Sequence, residues 1–128
     1  MDNLHIVPTG SSPLVDFDAE TGLLRLSGES YPENALEFFR PILAWISAFL
    51  ERDTRPLTLE LRLTYMNTSS IKSLMDILDD LEDAHQGGRE VRLHWYCDED
   101  NGRALEMAEE FREDLTLPFQ IIPEKAAP

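Results

Sequence analysis

Residues 57–95, LTLELRLTYMNTSSIKSLMDILDDLEDAHQGGREVRLHW, carry a strand, a helix and a second strand in succession. Over residues 57–65, apolar side chains occupy every second position, which is the period of a strand with one buried face. A helical spacing of apolar residues follows over about 68–86, and Gly87-Gly88 ends it. Alternation returns over residues 91–97. This order predicts two parallel strands joined by a helical crossover.

The segments on either side extend the pattern. Two short strands are predicted between residues 14 and 27, and a long helix follows, whose start we assign to a capping box formed by Ser30 and Glu33. A third helix over about 101–114 and a strand over 119–122 complete the chain. Apolar and polar residues alternate along the strands, so one face of the sheet is expected to be polar. A sheet covered by helices on both faces would have mostly apolar strands. We therefore predict an α/β domain of two layers, with a mostly parallel central sheet and helices mainly on one face.

Periodicity also predicts which side chains are buried. Tyr65 falls on the same side of its strand as the leucines before it, so we expect it to face the core. Pro41 removes one backbone donor from the first helix, where we expect a kink. The second helix is predicted to bury Ile71, Leu74, Met75, Leu78 and Leu81, and to expose Asp76, Asp79, Asp80, Glu82 and Asp83. The solvated sheet face is predicted to carry Glu60, Arg62, Arg92, His94 and Tyr96.

Composition and charge narrow the range of functions. The 128 residues suit a single domain, taken as residues 1–128 with a core at about 5–122. The formal net charge is −14, from 11 Lys+Arg against 25 Asp+Glu, so neither nucleic acid nor an anionic membrane is an expected partner. The apolar block at 35–50 is too short and too interrupted to insert into a membrane. The single cysteine, Cys97, and the lack of a signal sequence predict a cytoplasmic protein.

The residue types that usually carry catalysis are scattered along the chain. His94 and Cys97 lie three positions apart on a predicted strand, so their side chains face opposite ways and share neither a metal nor a catalytic step. The acidic run at 98–102 lacks the glycine position of a calcium loop, and we interpret it as a turn in which Asp100 or Asn101 caps the third helix. We predict no catalytic residue, no metal site, no cofactor and no enzymatic activity.

One segment differs from this acidic background. Residues 65–72, YMNTSSIK, join the best strand to the second helix, whose first turn holds hydroxyls and no carboxylate. Carboxylates are favoured there because the free N–H groups and the helix dipole are positive. Simple capping by Asn67 or Thr68 explains the segment. Alternatively, Thr68 accepts a phosphate intermittently, and backbone N–H groups, the dipole and Lys72 one turn further on compensate its charge.

Most of the chain resembles a known family. The run at 57–95, the upstream stretch GESYPENALEFFRPILAWISAFL (28–50) and the downstream stretch AEEFREDLTLPF (108–119) resemble the SiaC family of bacterial regulatory phosphoproteins. The similarity extends from about residue 5 to Phe119, with GESYPEN and YMNTSSIKS in the family's order and spacing. That family is similar in fold to STAS domains, the anti-sigma-factor antagonists. In those domains a Ser or Thr at the start of a helix is phosphorylated by a partner kinase.

The resemblance implies a phosphorylated residue and a set of partners. Thr68, in the matching NTSS motif, is implied to be the phosphorylated residue. A histidine-kinase-like ATPase acting on Ser/Thr would add the phosphate, and a PP2C-type phosphatase would remove it. In the best-understood members, the unphosphorylated form binds a GGDEF diguanylate cyclase and promotes cyclic-di-GMP synthesis, aggregation and biofilm formation. The chain is thereby expected to be a regulatory phosphoprotein that acts by partner switching.

Other residues of the two matching segments are candidates for partner binding. They are Tyr31, Glu33, Asn34, Asn67, Ser69, Ser70 and Lys72. Local roles are also consistent with the sequence, with Glu33 closing a capping box beside Tyr31 and Lys72 simply solvated. Two other functions compete with partner switching. A small-molecule sensor would need an apolar pocket with a few converging polar groups, and an enzyme using Thr68 as nucleophile would need a base that the sequence does not place.

Overall fold

The six strands of the sheet follow one another in chain order. The computed structural model describes residues 1–125, and the bounds of all elements refer to that part of the chain. The strands are β1 (Leu4–Ile6), β2 (Leu14–Asp18), β3 (Leu23–Ser30), β4 (Leu57–Met66), β5 (Val91–Asp98) and β6 (Phe119–Glu124). The helices are α1 (Ala35–Arg52), α2 (Thr68–Gln86) and α3 (Gly102–Glu113).

The sheet is mixed. Strands β3 to β6 pair in parallel, as the strand–helix–strand order predicted. Strands β1 and β2 form an antiparallel extension at one edge, so the prediction of a mostly parallel sheet holds only in part. The sequence does not predict β1, because three residues are too few for an alternating pattern to be recognised.

The three helices form one layer over the sheet. Each parallel crossover leads to the adjacent strand in the same direction, so connections of the same hand place α1, α2 and α3 on the same face. Helix α1 packs against α2, and α3 packs on β5 and β6. The core between the layers contains the inward side chains of the strands, among them Phe17, Leu59 and Trp95. The predicted two-layer arrangement is confirmed.

The opposite face of the sheet is polar, as predicted from the alternation, and several of its charged side chains form ion pairs. Glu60 lies 3.5 Å from Arg25 and 3.3 Å from Arg62, and Arg62 lies 3.3 Å from Glu124. The Arg62 guanidinium also stacks 3.7 Å from the centre of the Tyr96 ring. The opposite charges of these side chains offset one another at the surface, as is usual on a sheet face exposed to solvent.

Helix α1 begins later than the capping box predicted. Asn34 is its N-cap, with Oδ1 accepting from the Glu37 N–H at 3.1 Å and Nδ2 donating to the Glu37 carboxylate at 3.3 Å. Ser30 is instead the last residue of β3, and Glu33 is exposed in the connection. The helix start is therefore marked by the motif N-x-x-E at 34–37, four residues after the predicted capping box of Ser30 and Glu33. The helix is continuous through Pro41.

Helix α2 contradicts two predictions about burial. Met75 is exposed, because the buried stripe passes through Leu74, Ile77 and Leu78 on the next side of the helix. Glu82 was expected to be exposed but is only 8% accessible. It lies beneath the connection that follows α3, where it accepts several hydrogen bonds. A carboxylate can occupy such a position when its oxygens are fully hydrogen-bonded.

Two features are absent from the part of the chain that the structure describes. No helix within residues 1–125 is both long enough and apolar enough to cross a bilayer. No group of three or more His, Cys, Asp or Glu side chains among the same residues is arranged to hold a metal ion.

Candidate functional site

The two segments that resembled the family meet at the carboxyl edge of the sheet. Strand β3 ends at Ser30 and β4 ends at Met66, and these two residues are register partners in the parallel pair. The Asn67 N–H donates to the Ser30 carbonyl at 3.0 Å, which extends the pairing into the turn. The chain segment that enters α1 and the segment that enters α2 are therefore neighbours, although nearly forty residues separate them.

A bulge shapes this edge. The register between β3 and β4 shifts after Gly28, so Thr64 is an extra residue on β4. Gly28 has a φ of 110°, a conformation that glycine adopts without strain. An extra residue reverses the alternation beyond it. Met66 then turns toward the helices and Tyr65 toward solvent, which is why the prediction that Tyr65 faces the core was wrong.

Asn67 is the N-cap of α2. Its Oδ1 accepts from the Ser70 N–H at 2.9 Å, and its carbonyl accepts from the Ile71 N–H at 3.0 Å. Of the two caps considered from the sequence, the structure therefore has Asn67, and Thr68 is the first residue of the helix. The Thr68 and Ser69 side chains are exposed, and so is Lys72 one turn later.

Ser70 differs from its two neighbours. Its side chain is fully buried, and the Ser30 hydroxyl donates to its Oγ at 2.8 Å. This hydrogen bond fastens the first turn of α2 to the end of β3. In this conformation Ser70 is not accessible to a partner, so its proposed place on a binding surface is replaced by a structural role.

Tyr31 and Tyr65 lie together on the surface beside the turn. Their ring centres are 5.8 Å apart with planes at 71°, the edge-to-face geometry that aromatic pairs favour. The Tyr31 hydroxyl donates to the Gly10 carbonyl at 2.6 Å, and its N–H donates to the Ser11 carbonyl at 2.7 Å. The loop after β1 thus holds Tyr31 in position, and both rings remain partly accessible.

The first turn of α2 offers a place for a negative group. The N–H groups of Thr68 and Ser69 have no hydrogen-bond partner among residues 1–125. The turn contains no acidic residue, and Lys72 is the nearest cation along the helix. A phosphate at this end of a helix is stabilised by free N–H groups and by the helix dipole. Within the same residues, no side chain forms a hydrogen bond with the Thr68 hydroxyl, so no general base is positioned on it.

Two cavities lie along the same edge of the sheet. One of about 250 Å³ is lined by Tyr65, Met66, Trp95 and Met107 among others. The second, of about 300 Å³, adjoins it near Asn101. Pockets for small ligands usually measure about 300–1,000 Å³. These two spaces are at or below the lower limit, so they offer little room for a small ligand at this edge of the sheet.

Thr68, Ser69 and Lys72 lie on the surface, as expected for a binding segment, but other features of the site could not be predicted from the sequence. The exposure of Tyr65 follows from the bulge, and the signal for it in the sequence was Gly28, directly after the predicted strand. The Ser30–Ser70 bond joins residues forty positions apart, and no local pattern predicts it.

The chain is similar in sequence to a described protein family and to a known bacterial protein. Residues 6–124 match the sequence model of a family described as SiaC family regulatory phosphoprotein. An uncharacterised protein of Pseudomonas aeruginosa (strain UCBPP-PA14) is 54% identical over 121 residues, which are 94% of this chain and 96% of that protein.

Solved structures show the same fold. The crystal structure of apo-SiaC from Pseudomonas aeruginosa has a TM-score of 0.92 and 52% identity, over 95% of this chain and 99% of that one. A second structure is of the diguanylate cyclase SiaD in complex with its activator SiaC, from Pseudomonas aeruginosa. It has a TM-score of 0.93 and 53% identity, over 94% of this chain and 99% of the matched one.

Proposed function

Because this chain belongs to the SiaC family of regulatory phosphoproteins, we propose that it binds and activates a diguanylate cyclase and that phosphorylation of Thr68 controls the binding. Membership of the family makes the chain a regulatory protein and not an enzyme. A similar protein, SiaC of Pseudomonas aeruginosa, is the activator in a complex with the cyclase SiaD. This likeness supports the choice of a cyclase as effector.

The observation that carries the proposal is the environment of Thr68. Its hydroxyl is exposed at the first position of α2, beside N–H groups that have no partner among residues 1–125. A phosphate there adds about −1.5 to −2 charges. The helix dipole and the free N–H groups offset part of that charge. The domain can therefore be modified at this residue without loss of its fold.

The same phosphate would act strongly on a bound partner. Unmodified Thr68 carries no charge, and Tyr31 and Tyr65 are exposed at the ends of the two strands that meet beside its helix. An uncompensated charge inside a contact at this surface weakens binding by several kcal/mol, and each 1.4 kcal/mol is about tenfold in affinity. One phosphate thus releases the effector, and its removal restores the complex.

The proposal includes the enzymes that set the phosphorylation state. A histidine-kinase-like ATPase acts on Thr68, and a PP2C-type phosphatase reverses the modification, as the family resemblance implies. The fold is assigned to the STAS-like class on the same basis, since Thr68 opens a helix directly after a parallel strand. The output is cyclic-di-GMP synthesis, and with it aggregation and biofilm formation. The location assigned to the protein is the cytoplasm.

A pull-down from lysate of the native host tests this proposal. The baits are the wild type, Thr68→Ala and Thr68→Asp, and the intact mass of the wild type is recorded. We expect a phosphate-sized addition on the wild type that Thr68→Ala lacks. We also expect a diguanylate cyclase to be retained by Thr68→Ala and lost by Thr68→Asp.

The proposal fails if all three baits capture the same proteins and no mass is added at Thr68. The hydroxyls would then serve only the helix terminus. The small-molecule sensor would become the leading hypothesis, and a thermal-shift screen with nucleotides would test it, because a bound ligand raises the apparent melting temperature.

A further inference from the structure

Four large apolar side chains are exposed on the segments that lead into and form α1 and α2. We call them the apolar patch: Tyr31, Leu36, Tyr65 and Met75. Tyr31 and Tyr65 touch each other, and Leu36 is 71% accessible in the first turn of α1. Because α1 and α2 both run back from the carboxyl edge of the sheet, their first turns lie at the same end of the molecule.

Met75 belongs to the same surface as Thr68. Seven residues separate them on α2, which is about two turns, so both side chains lie on one face of the helix. Both are exposed. A helix normally buries a large apolar side chain if its fold provides a place for it. Met75 is not buried against any other part of residues 1–125, and its exposure extends the apolar patch along α2.

The exposed face of α2 beyond Met75 is acidic. Asp76, Asp79 and Asp83 are exposed and form no ion pair among residues 1–125. Burial, followed by repulsion from Asp83, Asp76 and Asp79, raises the pKa of Asp80 above its usual value. Among residues 1–125, no basic side chain is paired with this group, and Lys72 is the one lysine of the same helix. A cationic partner would relieve the repulsion.

This charge distribution indicates which kind of partner can bind the surface. A second copy of the chain would set one lysine and several aspartates against the same set, and like charges oppose that contact. An anionic membrane is repelled for the same reason. We propose that the apolar patch and the acidic face of α2 bind one segment of the diguanylate cyclase that carries both apolar and basic side chains. This inference rests on the proposed function.

The proposed effect of phosphate is compatible with an acidic docking face. Eight residues separate Thr68 from Asp76, or about 12 Å along a helix. The Debye length at physiological ionic strength is about 8 Å. The phosphate therefore acts on the apolar end of the contact, where it is desolvated, while the aspartates attract basic residues at the other end.

The test measures association and dissociation rates with purified SiaD of Pseudomonas aeruginosa, using unphosphorylated protein. The variant D76N/D79N/D83N removes charge from the acidic face, and Met75→Ala truncates the apolar patch. The matched control is E106Q/E109Q/E110Q, which removes the same charge from exposed positions of α3. Circular dichroism confirms that each variant is folded.

We expect the aspartate variant to associate about tenfold more slowly at low salt, with a smaller difference at high salt. We expect Met75→Ala to dissociate at least about fivefold faster, and the control to match the wild type. If the wild type binds but both surface variants also match it, the docking surface is wrong and the proposed function stands. If the unphosphorylated wild type does not bind, both fail.

Discussion

The carboxylate of Glu82 accepts four hydrogen bonds. One oxygen accepts from the N–H groups of Thr116 and Leu117 at 2.8 and 3.0 Å, and the other from the Thr116 hydroxyl at 2.6 Å and Gln86 at 2.8 Å. Desolvation opposes the charged form, but these hydrogen bonds outweigh it and lower the pKa of Glu82 from 4.5 to about 2. A single side chain thus anchors the connection between α3 and β6 to α2.

The lowered pKa of Glu82 predicts how stability depends on pH. The contribution of this residue is fully present above its unfolded pKa of 4.5 and is lost as the pH falls toward the folded value of about 2. Glu82→Gln should therefore lower the free energy of unfolding at pH 7 by up to about 3 kcal/mol. It should also weaken the dependence of stability on pH between those two values.

Urea unfolding at several pH values measures both effects. Glu113→Gln, which changes an exposed glutamate of α3, is the control and should leave stability nearly unchanged. Equal stability of Glu82→Gln and the wild type at pH 7 would contradict the anchoring role.

Three adjacent hydroxyls of α2 have different roles. Thr68 and Ser69 are exposed, while Ser70 is fully buried against Ser30. Each residue advances about 100° around a helix, so neighbours necessarily point in different directions. The sequence identified the run of hydroxyls, but the direction of each one depends on where the helix begins and on how it packs against β3.

At the scale of elements, Ser30 and Ser70 join β3 to α2 through one buried hydrogen bond. Replacing either serine by alanine leaves the other hydroxyl buried without its partner, at a cost of about 1–3 kcal/mol. Replacing both should cost clearly less than the sum of the two single changes. Unfolding free energies of the two single variants, the double variant and the wild type measure this coupling. Additive losses would show that the two hydroxyls act independently.

The cap of α1 gives a second prediction at this scale. Asn34→Ala removes the acceptor for the Glu37 N–H and should lower stability by about 1 kcal/mol. Asn34→Asp, which keeps an acceptor in place, should retain most of that stability. Thermal unfolding compares the variants. A stable Asn34→Ala protein that binds the cyclase poorly would instead give Asn34 the docking role considered from the sequence.

Helices and strands with strong periodicity could be predicted from the sequence. Apolar and polar residues alternate throughout 57–65 and 91–97, and each stretch is a strand that extends one residue further. Features set by tertiary contact could not be predicted. The bulge at Gly28 changes the direction of Tyr65, and the loop after α3 draws Glu82 inward, although the local pattern of each residue predicts the opposite.

At the scale of the whole molecule, charge and apolar exposure are distributed unevenly. On the open face of the sheet, Arg25 and Arg62 are paired with Glu60 and Glu124. The start of α2, in contrast, combines the apolar patch with Thr68, in a chain whose formal charge is −14. The net charge and the polar sheet face could be predicted from the sequence. The position of the patch required the fold, because its members come from α1, α2 and two strand ends.

The most direct test of the central claim is the affinity of the two phosphorylation states for the cyclase. Protein fully phosphorylated at Thr68, and the same preparation after phosphatase treatment, are titrated against purified SiaD by calorimetry. We expect phosphate to weaken binding by about 100-fold or more, equivalent to about 3 kcal/mol. Equal dissociation constants for the two forms would contradict the claim.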